Sequence, residues 1–260
     1  MSTEVVLVSR DDDIATVILN RPEKLNALTK PMWQRLGEAM NALSTDDGLR
    51  CVVVRGAGDK AFAPGNDIAE FEHDRRNAAQ ARAYGKIHLP ALAAVRECRH
   101  PTVALIKGIC VGGGLEIASA CDLRICGVSS RFGIPISRLG LAAGYEEIRT
   151  LLNVAGRAGT LELLLEGRVI GADEALQKGL VTRVVADNQV EAEAYATARR
   201  IADGAPLVAR WHKKFIRRLD DLRPLTAEEL DEAYRSYDSE DFQIGYRAFL
   251  AKTKPKFRGR

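Results

Sequence analysis

The sequence predicts an α/β fold. Runs of strand-forming residues alternate with segments that have the spacing of helices, and two glycine-rich turns join a strand to a helix. The part of the chain after Tyr145 is mostly helical in pattern. With 260 residues, of which 46% are hydrophobic, the chain is long enough for one large domain, or for a domain with an appendage.

The first element is a β-hairpin. The runs EVVLVSR and IATVILN are rich in β-branched residues and flank a polar turn at 11–13. A helix is predicted next, from an N-cap at Thr29 to about Leu43, with Pro31 in its first turn. The run CVVVRG then predicts a buried strand.

A glycine-rich loop, GAGDKAFAPGND, follows that strand and leads into a helix-compatible segment from Ile68 to Glu72. Residues 75–99 are predicted to be helical, with Pro90 as a break or kink. Pro101 then opens the next strand, TVALIKG. The loop has the composition of a functional site.

The third unit consists of the strand TVALIKG, the turn ICVGGG, the helix LEIASAC and the strand DLRICG. This alternation favours parallel strand pairing. From Tyr145 to Lys252 the pattern is helical, apart from the strand-like run VTRVV at 181–185. The sequence therefore predicts an α/β core over residues 1–200 and a helical region over residues 201–260.

The charges favour neither a nucleic-acid groove nor a membrane-binding surface, because 38 basic and 35 acidic residues are mixed along the chain. The N-terminal MSTEVVLVSRDDD has no pattern of a signal peptide, and no apolar run has the length of a membrane span. We therefore expect a cytoplasmic location. The cysteines have no metal-binding spacing and are expected to be buried reduced thiols, without a metal site: Cys51, Cys98, Cys110, Cys121 and Cys126.

The two glycine-rich turns carry the strongest functional signal. Gly112, Gly113 and Gly114 do not have the spacing of a dinucleotide or phosphate loop, but they follow a strand and open a helix. Helix-start N–H groups have no intrahelical partner and can bind an anionic oxygen. A second such junction, at 63–67, could bring its own N–H group to the same oxygen and form an oxyanion hole. The alternative is that the glycines only permit close packing of strand and helix.

Several motifs, in order and spacing, resemble those of the crotonase (enoyl-CoA hydratase/isomerase) superfamily. They are RPEKLNAL, GAGDKAFAPGNDI, ICVGGGLEIASACDLRI, FGIPISRLGLAAG, LLLEGRVIGADEALQKGLVTRVV and YRAFLAKTKPKFRGR, which together span nearly the whole chain. The resemblance implies a spiral of ββα units, followed by C-terminal helices that build a homotrimer or a dimer of trimers. It also implies an acyl-CoA or enoyl-CoA thioester as substrate, with no cofactor beyond the coenzyme A of that substrate.

The resemblance assigns the oxyanion donors to the backbone N–H groups of Asn66 and Gly113. It places the adenine end of coenzyme A near Lys24, and it implies that a neighbouring subunit contributes Phe249 and Lys252. Taken singly, these last two residues could equally be a packing aromatic and a solvated lysine. The remaining implied contacts along the CoA and thioester path are Ala27, Leu28, Ala63, Gly65, Asp67, Ile68 and Gly112.

The acid–base groups decide the reaction, because an oxyanion hole stabilises the enolate of any CoA thioester. The resemblance implies two glutamates in a hydratase, and the first is present as Glu116. Ile136 occupies the position of the second, in FGIPI, and lines the substrate site without a carboxylate. We expect Glu147, or less favourably Glu146, to supply the missing group, with Tyr145 as a further proton donor. The alternative is that both glutamates only stabilise a helix start.

The sequence thus predicts a hydratase-like lyase that adds water to an enoyl-CoA, or removes it, with syn stereochemistry. An isomerase, a decarboxylase and a C–C hydrolase are alternatives on the same scaffold, and so is a CoA-thioester binding protein that has lost catalysis. His88 and His100 each lie near a proline and are expected to have packing or surface roles.

Overall fold

Ten strands form two sheets in the computed structural model, which describes residues 4–260. The N-terminal segment, in which no signal peptide is predicted, begins with residues 1–3. These three lie outside the described residues. The strands are β1 (Val6–Asp11), β2 (Ile14–Leu19), β3 (Cys51–Gly56), β4 (Ala61–Ala63), β5 (Thr102–Ile106), β6 (Ile109–Val111), β7 (Leu123–Gly127), β8 (Arg131–Gly133), β9 (Val169–Gly171) and β10 (Arg183–Val185).

Helices follow or cover these strands. They are α1 (Lys30–Thr45), α2 (Phe71–Asp74), α3 (Ala78–Glu97), α4 (Gly113–Ala120), α5 (Tyr145–Glu166), α6 (Ala172–Gln177), α7 (Val190–Ala202), α8 (Pro206–Leu219), α9 (Ala227–Glu232) and α10 (Glu240–Leu250). Helix α5 is interrupted at Gly156, whose φ is 63°. Within residues 4–260, no helix is long and apolar enough to cross a membrane.

The chain alternates between the two sheets as it advances. The larger sheet has the order β1-β2-β3-β5-β7-β10, and the smaller has the order β4-β6-β8-β9. The pairs β3 with β4, β5 with β6 and β7 with β8 therefore each place one strand in each sheet before a helix follows. Strands β2, β3, β5, β7 and β10 pair in parallel. This arrangement confirms the predicted α/β spiral of ββα units.

The predicted hairpin and first helix are both present. Strands β1 and β2 pair in antiparallel fashion around Asp12, whose φ is 55°. Thr29 occupies the N-cap position of α1, but its side chain makes no capping hydrogen bond. Instead, the N–H of Lys30 donates to both carboxylate oxygens of Glu70, at 3.1 and 3.0 Å. The predicted N-cap position is thus confirmed, but the carboxylate of Glu70, a stronger acceptor, takes the place of the Thr29 side chain.

The middle of the chain differs from the prediction in two respects. Helix α3 begins at Ala78, after Asn77 accepts a hydrogen bond from the N–H of Gln80, and it continues through Pro90 without a break. The segments predicted as a loop and a turn contain strands β4 and β6, which pair in parallel in the smaller sheet. Three-residue strands beside glycines show no periodicity in the sequence, which explains why they were missed.

Apolar side chains of the helices pack against the sheets in two clusters. Helix α1 packs closely on α3, where a Cβ on Gly37 would lie 3.2 Å from the Cα of Ala91. On the other face of the larger sheet, Val53 and Val103 pack with Val190 and Ala194 of α7. All five cysteines are free and buried, as predicted. The site-bearing turns are therefore anchored on a packed core.

The helices of residues 201–260 lie against the core through polar contacts. Lys213 of α8 is buried, and its Nζ donates to the Asp122 carboxylate at 2.7 Å and to the His100 carbonyl at 3.0 Å. His100 is itself fully buried, which agrees with its expected packing role. Many apolar side chains of this region remain exposed, among them Ile216, Leu222, Tyr234, Phe249 and Leu250.

Candidate active site

The two glycine-rich turns meet in space. A Cβ on Gly65 would lie 3.4 Å from the backbone nitrogen of Gly113, and a Cβ on Gly112 would lie 3.4 Å from the Cα of Gly65. Gly65 has a φ of 108° and Gly112 a φ of 53°, conformations that disfavour any other residue. These glycines therefore bring the start of α4 against the turn that follows β4.

Two backbone N–H groups are available at this contact. The N–H of Leu28 donates to the Gly65 carbonyl at 2.8 Å, and the N–H of Asp67 donates to the Leu28 carbonyl at 2.7 Å. This bridge holds the turn and leaves the N–H of Asn66 with no backbone acceptor in the described part of the chain. Gly113 is the first residue of α4, so its N–H has no intrahelical acceptor. Both residues line one cavity of about 140 Å³.

The cavity gathers most of the predicted catalytic residues. Its walls combine the two turns with the start of α4, the segment 135–143 and the first turn of α5. The predicted residues that line it are Gly65, Asn66, Ile68, Gly112, Gly113, Glu116, Ile136 and Glu147.

Glu116 is a buried carboxyl on α4, with a relative exposure of 7%. Burial raises its pKa from 4.5 to about 8, and the nearby negative charge of Glu147 adds to the rise, while the charge of Arg75 opposes it. Glu116 is therefore protonated at neutral pH and can donate a proton into the cavity.

Glu147 is the second carboxyl of the cavity and differs in its environment. Burial would raise its pKa, but hydrogen bonds from His88 and from the N–H of Gly144 outweigh that effect and lower it. The Nε2 of His88 lies 3.0 Å from Oε1 of Glu147. Because an ionised carboxylate only accepts hydrogen bonds, this nitrogen of His88 carries a hydrogen. The site thus contains one neutral and one ionised carboxyl group.

The two residues before Glu147 at the start of α5 do not line the cavity. Glu146 pairs with Arg96 at 3.0 Å and does not line the cavity. Tyr145 is 91% exposed and also lies outside the cavity wall, so the prediction that it is a further proton donor was wrong. Ile136 does line the cavity and adds an apolar surface there.

The other predicted contact residues do not line this cavity. Lys24 is exposed in the 3₁₀ turn Pro22–Lys24, and the Ala27 carbonyl accepts a hydrogen bond from Arg21 at 2.7 Å. Asp67 pairs with Arg21 at 3.1 Å. Ala63 lies in β4, and Leu28 holds the turn through its backbone. Phe249 and Lys252 are exposed at the C-terminal end of the fold, so their predicted contact with a neighbouring subunit stays a prediction.

Sequence reasoning missed three features of the site. His88 is buried beside Trp33, with ring centroids 5.6 Å apart, and contacts Glu147 rather than only packing. Trp33 donates from Nε1 to the side-chain oxygen of Asn66 at 2.7 Å. Arg75 also lines the cavity. No local motif marks these contacts, although His88, four residues after Tyr84 on a helix face, was a visible polar residue in an apolar row.

The fold and the site define a class: an α/β spiral protein whose paired backbone donors and two carboxyl groups suit a thioester enolate. The sequence model of the family described as enoyl-CoA hydratase/isomerase matches residues 9–260. The chain therefore belongs to the enoyl-CoA hydratase/isomerase family, which confirms the resemblance seen in the sequence.

Several known proteins are similar to this chain over nearly its full length. The crystal structure of an enoyl-CoA hydratase/carnithine racemase from Magnetospirillum magneticum superposes with a TM-score of 0.98 at 51% identity, covering 100% of this chain and 97% of that one. A probable enoyl-CoA hydratase of Mycobacterium bovis is 34% identical, with 100% of both chains covered. The crotonyl-CoA hydratase of Syntrophomonas wolfei is 30% identical, with 99% of both covered. These relatives support an acyl-CoA-processing, hydratase-like function.

Proposed function

We propose that this protein is a lyase that hydrates a short enoyl-CoA, with the thioester oxygen held by the N–H groups of Asn66 and Gly113. The observation that carries the proposal is the single cavity that joins these two donors to Glu116 and Glu147. Preorganised donors stabilise the oxygen as it gains negative charge, in a site from which most water is excluded. The cavity volume of about 140 Å³ suits a short acyl group.

The two carboxyl groups divide the proton transfers. Ionised Glu147 accepts a proton from a water molecule, whose oxygen bonds to Cβ of the substrate while the C=C electrons move into the thioester enolate. Neutral Glu116 then gives its proton to Cα, and the enolate collapses to the hydroxyacyl thioester. The two groups exchange a proton with solvent to restore their starting states. Syn addition requires both carboxyl groups to act on the same face of the substrate.

His88 positions the base in this proposal. Its hydrogen bond keeps Glu147 ionised and oriented, while Trp33 and Tyr84 pack against its ring with centroids 5.6 and 5.8 Å away. The carboxylate that the family pattern would place at Ile136 is thereby replaced by one from the start of α5. No cofactor other than the coenzyme A of the substrate takes part.

The CoA moiety would leave the cavity along the surface near Lys24, past Ala27, Leu28 and Ala63. We further propose that residues 1–200 form the catalytic core and that residues 201–260 assemble a homotrimer or a dimer of trimers. The exposed apolar side chains of the C-terminal helices support that division, because such surfaces mark interaction sites. Phe249 and Lys252 would then reach the CoA bound to an adjacent subunit, which mass measurements in solution and the K252A variant can examine.

The sharpest test compares Glu147→Gln with Glu146→Gln, using the loss of crotonyl-CoA absorbance at neutral pH. General acid–base groups contribute about 100- to 10,000-fold, so we expect Glu147→Gln to lower kcat by at least about 100-fold. Glu146→Gln is the matched control, because that side chain bonds to Arg96 outside the cavity. Undiminished turnover by Glu147→Gln, in an unchanged oligomer, would remove Glu147 from the mechanism. Binding without turnover of any enoyl-CoA would instead favour a CoA-thioester binding protein.

A further inference from the structure

Arg75 is a cation in the cavity wall that the hydration mechanism does not use. Its guanidinium lies 4.7 Å from the ring centroid of Phe71 and 4.8 Å from that of Tyr84. These contacts fix the planar group in a half-buried position beside Glu116 and Glu147. The side chain is therefore already oriented before any ligand arrives.

This cation has no directly bonded anion, although its charge acts through space on Glu116 and Glu147. Among residues 4–260, the Arg75 side chain makes neither an ion pair nor a hydrogen bond, whereas Glu147 is bonded to His88 and Gly144. A guanidinium carries five N–H donors that match a carboxylate in a two-pronged geometry. A fixed, partly desolvated and unpaired guanidinium in a ligand cavity indicates that the ligand brings the anion.

The side chain of Asn66 adds a second donor. Its Oδ1 accepts hydrogen bonds from Trp33 at 2.7 Å and from the hydroxyl of Tyr84 at 3.4 Å, which directs Nδ2 to the other side. Nδ2 has no acceptor in the described part of the chain, and Asn66 lines the cavity. The amide thus presents donors to the cavity in addition to the backbone N–H.

We propose that the preferred substrate is a short acyl-CoA whose acyl chain ends in a second carboxylate, bound by the guanidinium of Arg75 with the side-chain amide of Asn66 as an additional donor. This inference rests on the proposed function, since it specifies the acyl group for the same site. The cavity volume of about 140 Å³ favours a chain of a few carbons. The carboxylate would lie against Arg75 while the thioester oxygen lies between Asn66 and Gly113.

Calorimetric titration with freshly prepared saturated ligands, which cannot be hydrated, separates recognition from catalysis. Succinyl-CoA is compared with butyryl-CoA, and glutaryl-CoA with valeryl-CoA, so that each pair differs only by a carboxylate in place of a methyl group. A charge-assisted contact is worth about 10- to 100-fold in affinity, and we expect the carboxylated member of at least one pair to bind tighter by that factor. Arg75→Met retains an unbranched chain to pack on Phe71 and Tyr84 but removes the charge, so it should abolish the preference.

Arg76→Met is the matched control, because Arg76 is exposed and does not line the cavity; it should retain the preference. Equal or weaker binding of the carboxylated ligand in both pairs overturns the inference, as does a preference that survives Arg75→Met. Crotonyl-CoA hydration is measured on the same preparations. Hydration without a carboxylate preference refutes the role of Arg75 alone, whereas a preference without hydration of any enoyl-CoA, including carboxylated ones, refutes the hydratase proposal alone.

Discussion

Replacing Glu116 by Gln should make the protein more stable and less active. In the folded protein, burial raises the pKa of this carboxyl from 4.5 to about 8. Between these values the unfolded chain loses the proton while the native state keeps it, so native stability falls as pH rises. Each pH unit costs about 1.4 kcal/mol, which amounts to about 3 kcal/mol at pH 7 and about 5 kcal/mol above pH 8. Below pH 4.5 the cost disappears.

Glutamine is neutral at every pH and avoids this cost. We therefore expect the Glu116→Gln variant to gain less than about 1 kcal/mol at pH 5 and about 3 kcal/mol at pH 7. For a chain of this size, the gain at pH 7 corresponds to a rise in Tm of roughly 6–12 °C. Activity should fall by at least about 100-fold, because the amide cannot transfer the proton to Cα.

Thermal unfolding followed by circular dichroism at pH 5, 7 and 9, at one protein concentration, checks the stability difference. Glu72→Gln is the control, since Glu72 is exposed and does not line the cavity. A Tm difference between the wild type and Glu116→Gln that stays constant from pH 5 to pH 9 would refute a strongly raised pKa for Glu116.

Two further predictions concern pH and packing. The value of kcat/KM for hydration should decline about tenfold per pH unit above pH 8, as Glu116 loses its proton. In acid it should decline only below the ordinary glutamate range, because the pKa of Glu147 is lowered. A stopped-flow pH profile checks both limbs. Gly114→Ala should cost about 3 kcal/mol in urea unfolding, because its Cβ would lie 2.2 Å from the Ala63 carbonyl oxygen. Gly85→Ala should instead stabilise helix α3 by up to about 1 kcal/mol, because the nearest atom to its added Cβ would be 4.0 Å away. Similar effects of Gly114→Ala and Gly85→Ala on stability would contradict the packing argument.

The larger sheet could be predicted because its strands are apolar runs bounded by turn residues. The smaller sheet could not, since β4 and β6 have three residues each and lie within glycine-rich segments. Gly65 and Gly113 were recognisable because each lies where a strand leads into a helix. The conformation of Gly65 requires glycine, and Gly113 at the helix start has a free N–H. The oxyanion turns are thus set by local backbone chemistry, which a sequence displays directly.

The environment of the carboxyl groups depends instead on distant residues. His88 and Glu147 are 59 positions apart, and Trp33 and Asn66 are 33 apart, so no local pattern shows that they touch. The direction of a pKa shift depends on these contacts and on burial. Glu147 could be proposed from its place at the start of a helix, but its partner could not. Arg75 gave no signal at all, because an arginine in a polar segment is ordinarily solvated.

The positions of the two carboxyl groups on their helices show which physical effect determines their protonation. Glu116 and Glu147 both lie in a first helical turn, where the helix dipole favours the anion. That effect reaches at most about 2 kcal/mol, whereas the raised pKa of Glu116 corresponds to about 5 kcal/mol. Burial therefore prevails at Glu116, which makes no hydrogen bond with its carboxyl oxygens in residues 4–260. At Glu147, hydrogen bonds from His88 and from the N–H of Gly144 lower the pKa and keep the carboxylate ionised. An acid and a base are thus produced from the same residue type, and removing His88 should raise the pKa of Glu147 and so weaken the base.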